Sequence, residues 1–435
     1  MVLLRKHRNP YLEGNFAPLL DKGCSEPKVS KPAALKPSDS GSSVPSNLAS
    51  GWFIRNGPDA ALAPNPSTYA WFDGDSCLHF VRLHPNDVNP AYWRRHTGTE
   101  RIAAERKLGS FDAIPGIGTS VGWRAIYDVL KFTIRARLHG IDTTKATGLV
   151  PQSANTSLVF HHGKLLALNE GDAPYTIDID ADDESRDRWY NFNDTLKSPF
   201  TAHPKVDPEN GNLVGFGYRP ESQPHVYVYE FDPDGNNLRT VPVNLPRAAM
   251  IHDFWCTTHF YILPVSSIMI NFPLLLLNCD PVYMDHKQPA RLCIVPRTEA
   301  GRKALNVESL ESFRQYDLPE PSAIFHTVAA WDTYSNGVHS PDGVVLYGCR
   351  LKHIDLRSFI TTGGDAGTPI SERPFLHRFT VDFTSNRATE MRMLPNSLPT
   401  DFPVINARSI THKPDYLYLA VQAEQVSKFS GMFRS

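Results

Sequence analysis

The sequence predicts an all-β fold of the propeller class. From Trp52 onward, apolar runs of four to eight residues, rich in Val, Tyr, Phe and Leu, alternate with turn signals. Strand–turn–strand units recur, as in VYVYEFDPDGNNLRTVPV and FLHRFTVDFTSNRATEMRML. Hairpins repeated along a chain of 435 residues point to radially arranged four-stranded blades. The 36 prolines and 27 glycines suit many turns and few long helices.

In chain order, residues 1–50 read as an arm. Its second half, SEPKVSKPAALKPSDSGSSVPS, is rich in Ser, Pro and Lys and cannot build a core. Residues 51–435 are expected to form one propeller domain, because closed β architectures grow as a unit. One segment breaks the strand pattern. Residues 117–138, IGTSVGWRAIYDVLKFTIRARL, have helical periodicity. Val121, Ile126, Val129, Leu130, Ile134 and Leu138 make an apolar stripe, with Arg124, Lys131, Arg135 and Arg137 around it. Two compatible readings follow, a lid across the propeller top or an interfacial helix that meets a membrane.

The most apolar stretch, 261–277 (YILPVSSIMINFPLLLL), is short and interrupted by Pro264 and Pro273, so it reads as a buried or surface loop and not a membrane span. Lys plus Arg (44) nearly balances Asp plus Glu (46), which argues against a nucleic-acid partner. The six cysteines, Cys24, Cys77, Cys256, Cys279, Cys293 and Cys349, are scattered, without a CxxC pair. That spacing disfavours a disulfide framework or a structural zinc site. The N-terminal MVLLRKHRNPYLEGNFAPL does not read as a secretory signal, so a reducing, cytoplasmic setting is expected, with peripheral membrane contact through 117–138.

Among 17 histidines, three have a telling context. His203 lies in FTAHPKVDPENGNLVGFGY, His252 in MIHDFWCTTHFYIL and His326 in SAIFHTVAAWD, each beside a strand. A histidine in an apolar run is ordinarily a satisfied core residue. Three of them converging on a propeller axis would instead present neutral imidazoles to one metal, and imidazole suits zinc, copper, iron and nickel alike. His7, His96, His139, His286 and His412 have no distinctive context.

Several motifs, in order, resemble the carotenoid cleavage oxygenase family, which includes carotenoid, apocarotenoid and stilbene cleavers. They are NPYLEGNFAP, GWFIRNGPDA, WFDGDSCLHF, SANTSLVFHHGKLLALNEGDAPY, the His203 segment, IHDF, PLLLLNCDPVY to CIVPR, FHTVAAWD and DFPVIN. The resemblance implies a seven-bladed propeller with Fe(II) on its axis, held by four histidines. His203, His252 and His326 match the first three. Glu170, in LALNEGDAPY, matches the first of three glutamates that hydrogen-bond ligand imidazoles. Asp401 stands where the family has its second, and Val404 replaces an arginine. The fourth histidine and third glutamate have no match; His412, in SITHKPDYLYL, has the wrong context. A chain truncated within its last blade is therefore expected.

The implied reaction is cleavage of a carbon–carbon double bond by O2 to two carbonyl products. An apolar tunnel would hold the substrate, with Phe53, Phe72, Trp123, Phe254 and Trp255 as candidate wall residues. Stilbene cleavers in the family use a tyrosine and a lysine on the phenol. Here Gln152 and Ser153 precede Ala154-Asn155-Thr156, with no lysine, which favours a carotenoid or apocarotenoid over a stilbene. The competing expectation is a catalytically inactive member that only binds an apolar ligand.

Overall fold

A computed structural model of the chain describes residues 33–34, 44–87, 90–116, 121–144, 146–147, 150–181, 183–335, 340–354, 373–422 and 429–434. Most of the expected arm, with the NPYLEGNFAP motif, and residues 117–120 of the expected helix lie outside them. The chain divides into two compact units, residues 1–120 with 124–194 and residues 121–123 with 195–435.

The first unit holds two antiparallel sheets. One orders its strands Ala33–Ala34, Ala91–His96, Asp75–Leu83 and Gly51–Asp59. The other is a meander of Ser157–His161, Lys164–Leu168, Tyr175–Ile177 and Arg188–Trp189. Leu78 and Phe80 of the one pack with Ala167, Tyr175 and Ile177 of the other. A buried ion pair adds to this, with Arg95 Nη1 2.6 Å from Asp187. Helix α1 (Glu100–Leu108) starts where Thr99 Oγ1 accepts from the Ile102 N–H and stops at Gly109, in the left-handed region (φ 69°).

Helix α2 (Gly122–Leu138) confirms the helical period of that segment. It buries Ala125, Phe132 and Ala136, the last two in a cluster with Ala104, Ile114 and Val150. The stripe of larger residues faces outward: Ile126, Leu130, Ile134 and Leu138 are all exposed, Leu138 to 79%. Among the described residues no helix is long and apolar enough to cross a membrane.

The second unit stacks four sheets in chain order. They are Lys205–Val206, Leu213–Tyr218, Val226–Phe231 and Asn237–Val243; Trp255–Cys256, Phe260–Val265, Arg291–Pro296 and Arg314–Asp317; Ala323–Thr333, Gly343–Leu351, Phe375–Asp382 and Arg387–Arg392; and Thr400–Ile405, Leu417–Gln422 and Phe429–Arg434. Both hairpins singled out in the sequence form as expected. Strand periodicity explains the stacking. Tyr261, Leu263, Cys293 and Val295 point into the core on one side of their sheet, and Phe260, Ile262, Leu292 and Ile294 into the core on the other. A third cluster joins the last two sheets through Val328, Ala329, Leu417 and Leu419. Each fully buried Leu, Ile or Phe contributes roughly 1.5–3 kcal/mol. Successive four-stranded meanders packed face to face are the blades of a β-propeller. Six sheets of three or four strands occur among the described residues.

The 261–277 stretch divides between both environments anticipated for it. Phe260–Val265 is buried at every position. Beyond it, a ribbon of Ile268–Ile270 and Val282–Met284 carries the turn Phe272–Leu277. There Leu276 and Leu277 are about as exposed as Leu138.

Candidate metal centre

The rings of His203, His252 and His326 meet in the second unit. Their ligand atoms all lie within 4.8 Å of one another. His203 Nε2 is 3.0 Å from His252 Nε2, and the ring centroids are 4.7, 5.3 and 5.6 Å apart. Each ring comes from the opening strand of a different sheet or from the residues just before it.

Local sequence explains each placement. His203 follows the segment 198–202, which lies across strand Leu213–Tyr218, with the Thr201 N–H donating to the Phe216 carbonyl. The glycines of VGFGY allow this approach. A Cβ on Gly217 would stand 1.6 Å from the Pro199 carbonyl oxygen, and one on Gly215 would meet the Phe200 ring at 2.3 Å. His326 sits where the pairing of Ala323–Thr333 shifts register on both sides of it, and Asp401 where Thr400–Ile405 shifts between Asp401 and Val404. Such bulges re-aim side chains. Here they bring His326 Nδ1 within 2.8 Å of Asp401 Oδ1. With Nδ1–H donating to that carboxylate, the Nε2 lone pair of His326 is left for a metal. Phe402, at φ 48°, sets its ring 4.8 Å from that of His326.

A second carboxylate braces the group. Asp253 is buried and accepts from Lys205 Nζ, the Phe254 N–H, the Thr327 N–H and Thr327 Oγ1, each at 2.8 Å. It thereby ties the residue after His252 to the residue after His326 and to the strand after His203. Burial alone would raise its pKa, but the Lys205 ammonium and these hydrogen bonds hold it well below the usual carboxylate range. The His203 imidazole is held well below 6.5, first by burial and then by His252, His326 and Lys205, against the opposing pull of Asp253. A neutral imidazole is the form that binds a metal. The donor set therefore fits a late first-row dication, Fe(II) included.

The remaining candidates separate. Glu170 stands half-buried in the first unit, in the turn after Lys164–Leu168. Phe254 and Trp255 are both interior. Phe254 is in the core between two sheets and Trp255 in the next core along, its Nε1–H donating to the Tyr347 carbonyl at 2.7 Å. Their apolar context marked burial, and interior packing accounts for it. Phe53, Phe72 and Trp123 are exposed. His412 pairs with Glu209 at 3.1 Å and is not part of the three-histidine cluster. Asp253, Lys205, Thr327 and Phe402 escaped the sequence reading. Asp253 and Thr327 each directly follow a candidate ligand, which was the available signal.

Residues 31–434 match the family described as retinal pigment epithelial membrane protein, RPE65. The chain belongs to this family. This RPE65-family chain is similar to a carotenoid 9,10(9',10')-cleavage dioxygenase of Crocus sativus, 29% identical over 432 residues that cover 98% of the chain and 71% of that protein. It is also similar to lignostilbene-alpha,beta-dioxygenase isozyme III of Sphingomonas paucimobilis, 27% identical over 84% of the chain and 68% of that protein. Among solved structures, Pseudomonas brassicacearum lignostilbene dioxygenase superposes with a TM-score of 0.71 at 22% identity, covering 95% of this chain and 76% of its own. A Synechocystis apocarotenoid oxygenase variant gives 0.65 at 21% identity, covering 91% and 76%. These likenesses show the β-propeller fold.

Proposed function

We propose that this chain is a non-haem iron oxygenase that cleaves a carbon–carbon double bond of a carotenoid or apocarotenoid with O2, giving two carbonyl products. One observation carries the reading. Three imidazoles from three successive sheets converge within 4.8 Å, one of them oriented by a carboxylate, in a family whose relatives are named as alkene-cleaving dioxygenases. His203, His252 and His326 would hold Fe(II), which supplies the activation of dioxygen when bound. The chain's own residues do the positioning. Asp401 accepts the His326 Nδ1 proton and fixes that ring. Asp253 holds the segments that carry the rings together. Desolvation keeps His203 neutral and able to donate. Glu170 would serve another ligand imidazole as Asp401 serves His326.

The same reading takes the six sheets as part of a seven-bladed ring, with α2 across its top face. It makes the chain a cytoplasmic protein that rests on membranes, where apolar polyenes dissolve. The exposed Ile126, Leu130, Ile134 and Leu138, with Lys131 and Arg137 beside them, support that contact, as do the exposed Leu276 and Leu277.

A stilbene substrate is the second reading, favoured by the likeness to lignostilbene dioxygenases. Iron content, O2 uptake and product analysis with an apocarotenoid and with a hydroxystilbene test both. Stoichiometric iron with two carbonyl products from the polyene is expected. Turnover of the stilbene alone selects the second reading, and iron-free protein without O2 uptake on either substrate overturns both.

A further inference from the structure

The first unit carries another cluster of ligand-type side chains, on the sheet of Gly51–Asp59, Asp75–Leu83 and Ala91–His96. Register builds it. Cys77 lies directly opposite Gly57 on one neighbouring strand and His96 on the other. Directly opposed residues share a face of a sheet, and so do residues two apart on one strand. Asp59, two residues beyond Gly57, therefore joins Cys77 and His96 on that face. The ligand atoms of Asp59, Cys77 and His96 all lie within 4.8 Å of one another.

Two further observations point to a ligand there. His96 is 5% exposed, yet its Nε2 has no hydrogen-bond partner among the described residues. A buried ring nitrogen without a partner costs about 1–3 kcal/mol, which a metal–nitrogen bond would remove. Gly57 leaves room beside Cys77, because a Cβ built on it would meet nothing within 4 Å. That space can admit a solvent ligand.

We propose that Asp59, Cys77 and His96 form a metal site for a divalent cation of the zinc type, separate from the three-histidine centre. The donor set selects the ion. A thiolate with an imidazole disfavours magnesium and calcium and suits Zn2+ or Co2+. Thiolate and carboxylate together cancel the charge of the dication, so the buried group is neutral overall. Three protein ligands and one solvent molecule complete a tetrahedron. Zinc–ligand bonds of about 2.0–2.3 Å place tetrahedral ligands roughly 3.3–3.8 Å apart, so ligand atoms that lie within 4.8 Å of one another need to close by at most about 1.5 Å when the site fills. Arg94 is the cation now beside it, with Nη1 3.8 Å from Cys77 Sγ and 3.6 Å from Asp59 Oδ2. Its side chain reaches solvent and can swing outward as the ion enters.

The test is titration of the chelator-treated full chain with Co2+ alone, then competition with Zn2+. A near-ultraviolet thiolate-to-cobalt charge-transfer band is expected, reaching the intensity of one thiolate–cobalt bond per chain, and bleached by Zn2+. The three-histidine centre has no sulfur and cannot give this band, so the outcome does not depend on the proposed oxygenase activity. Cys77→Ser should abolish the band. Asp59→Asn, at the more exposed edge of the cluster, keeps the test open should Cys77→Ser fail to fold, and should weaken Co2+ binding at least about tenfold. No thiolate band in the wild-type chain, or a band undiminished in a folded Cys77→Ser or Asp59→Asn variant, overturns the proposal.

Discussion

Replacing Asp253 should damage both the stability of the second unit and its metal affinity. The carboxylate accepts four hydrogen bonds, one of them from the Lys205 ammonium. Asp253→Ala strands these donors, two of them backbone N–H groups in the interior. Breaking a buried ion pair from one side costs about 3–5 kcal/mol. Lys205 is 20% exposed and recovers some hydration, which moves the expectation toward about 3 kcal/mol. Asp253→Asn keeps one acceptor oxygen but turns an NH2 group toward donors, so about 2 kcal/mol is expected. Urea unfolding of the iron-free protein reads the stability, and chelator competition reads iron affinity on the same samples. Affinity should fall about 10–100-fold, because the two bonds to Thr327 fix the His252 segment against the His326 segment. An Asp253→Asn variant within about 0.5 kcal/mol of wild type and unchanged in iron affinity would refute the bracing role.

Three other outcomes follow from the same geometry. Asp401→Ala should lower iron affinity about 10–100-fold, whereas Asp401→Asn, which can still accept from His326 Nδ1–H, should lose less; equal affinities in chelator competition would remove Asp401 from the site. Gly217→Ala drives a methyl into the Pro199 carbonyl and should cost about 3 kcal/mol or more by urea unfolding, together with iron binding, since that contact leads into His203. His377 is pushed down to about 4 from 6.5, first by burial and then by Arg350 and Arg392. The unfolded chain takes up that proton first, so stability present above pH 6.5 is lost as pH falls toward 4, by at most about 3 kcal/mol. His377→Gln should flatten the stability profile in that window. Asp332, pushed up to about 6 by burial, slopes the other way in both proteins and cancels.

What could be read from the sequence was whatever short-range pattern encodes. Hairpins such as Val226–Phe231 with Asn237–Val243 announce themselves through alternation and a DG turn. The three histidines stood out because polar rings interrupt apolar runs. Register could not be read, because it depends on which distant strand pairs with which. The bulges that aim His326 and Asp401 at each other, and the row that sets Cys77 between Gly57 and His96, exist only after pairing. Helix α2 shows a different limit. Its sequence holds two stripes at helical spacing, and the smaller one, with Ala125 and Ala136, is buried because small side chains allow close approach. Phe254 and Trp255 read equally as core or as tunnel wall, because a core and an apolar tunnel call for the same residue types.

Each of the three imidazoles is owned by a different sheet, and 49 residues separate His203 from His252. An ion shared among them is then a removable cross-link between modules that otherwise meet through side-chain packing and a few hydrogen bonds, such as those to Asp253. Binding would add RT ln(1 + [L]/Kd) to the unfolding free energy, about 2.7 kcal/mol at a hundredfold excess over Kd. It would also make the sheets unfold in concert. A packing defect in any one of them, far from the rings, would then surface first as lost metal. Iron occupancy could therefore serve as a gauge of folding across much of the second unit.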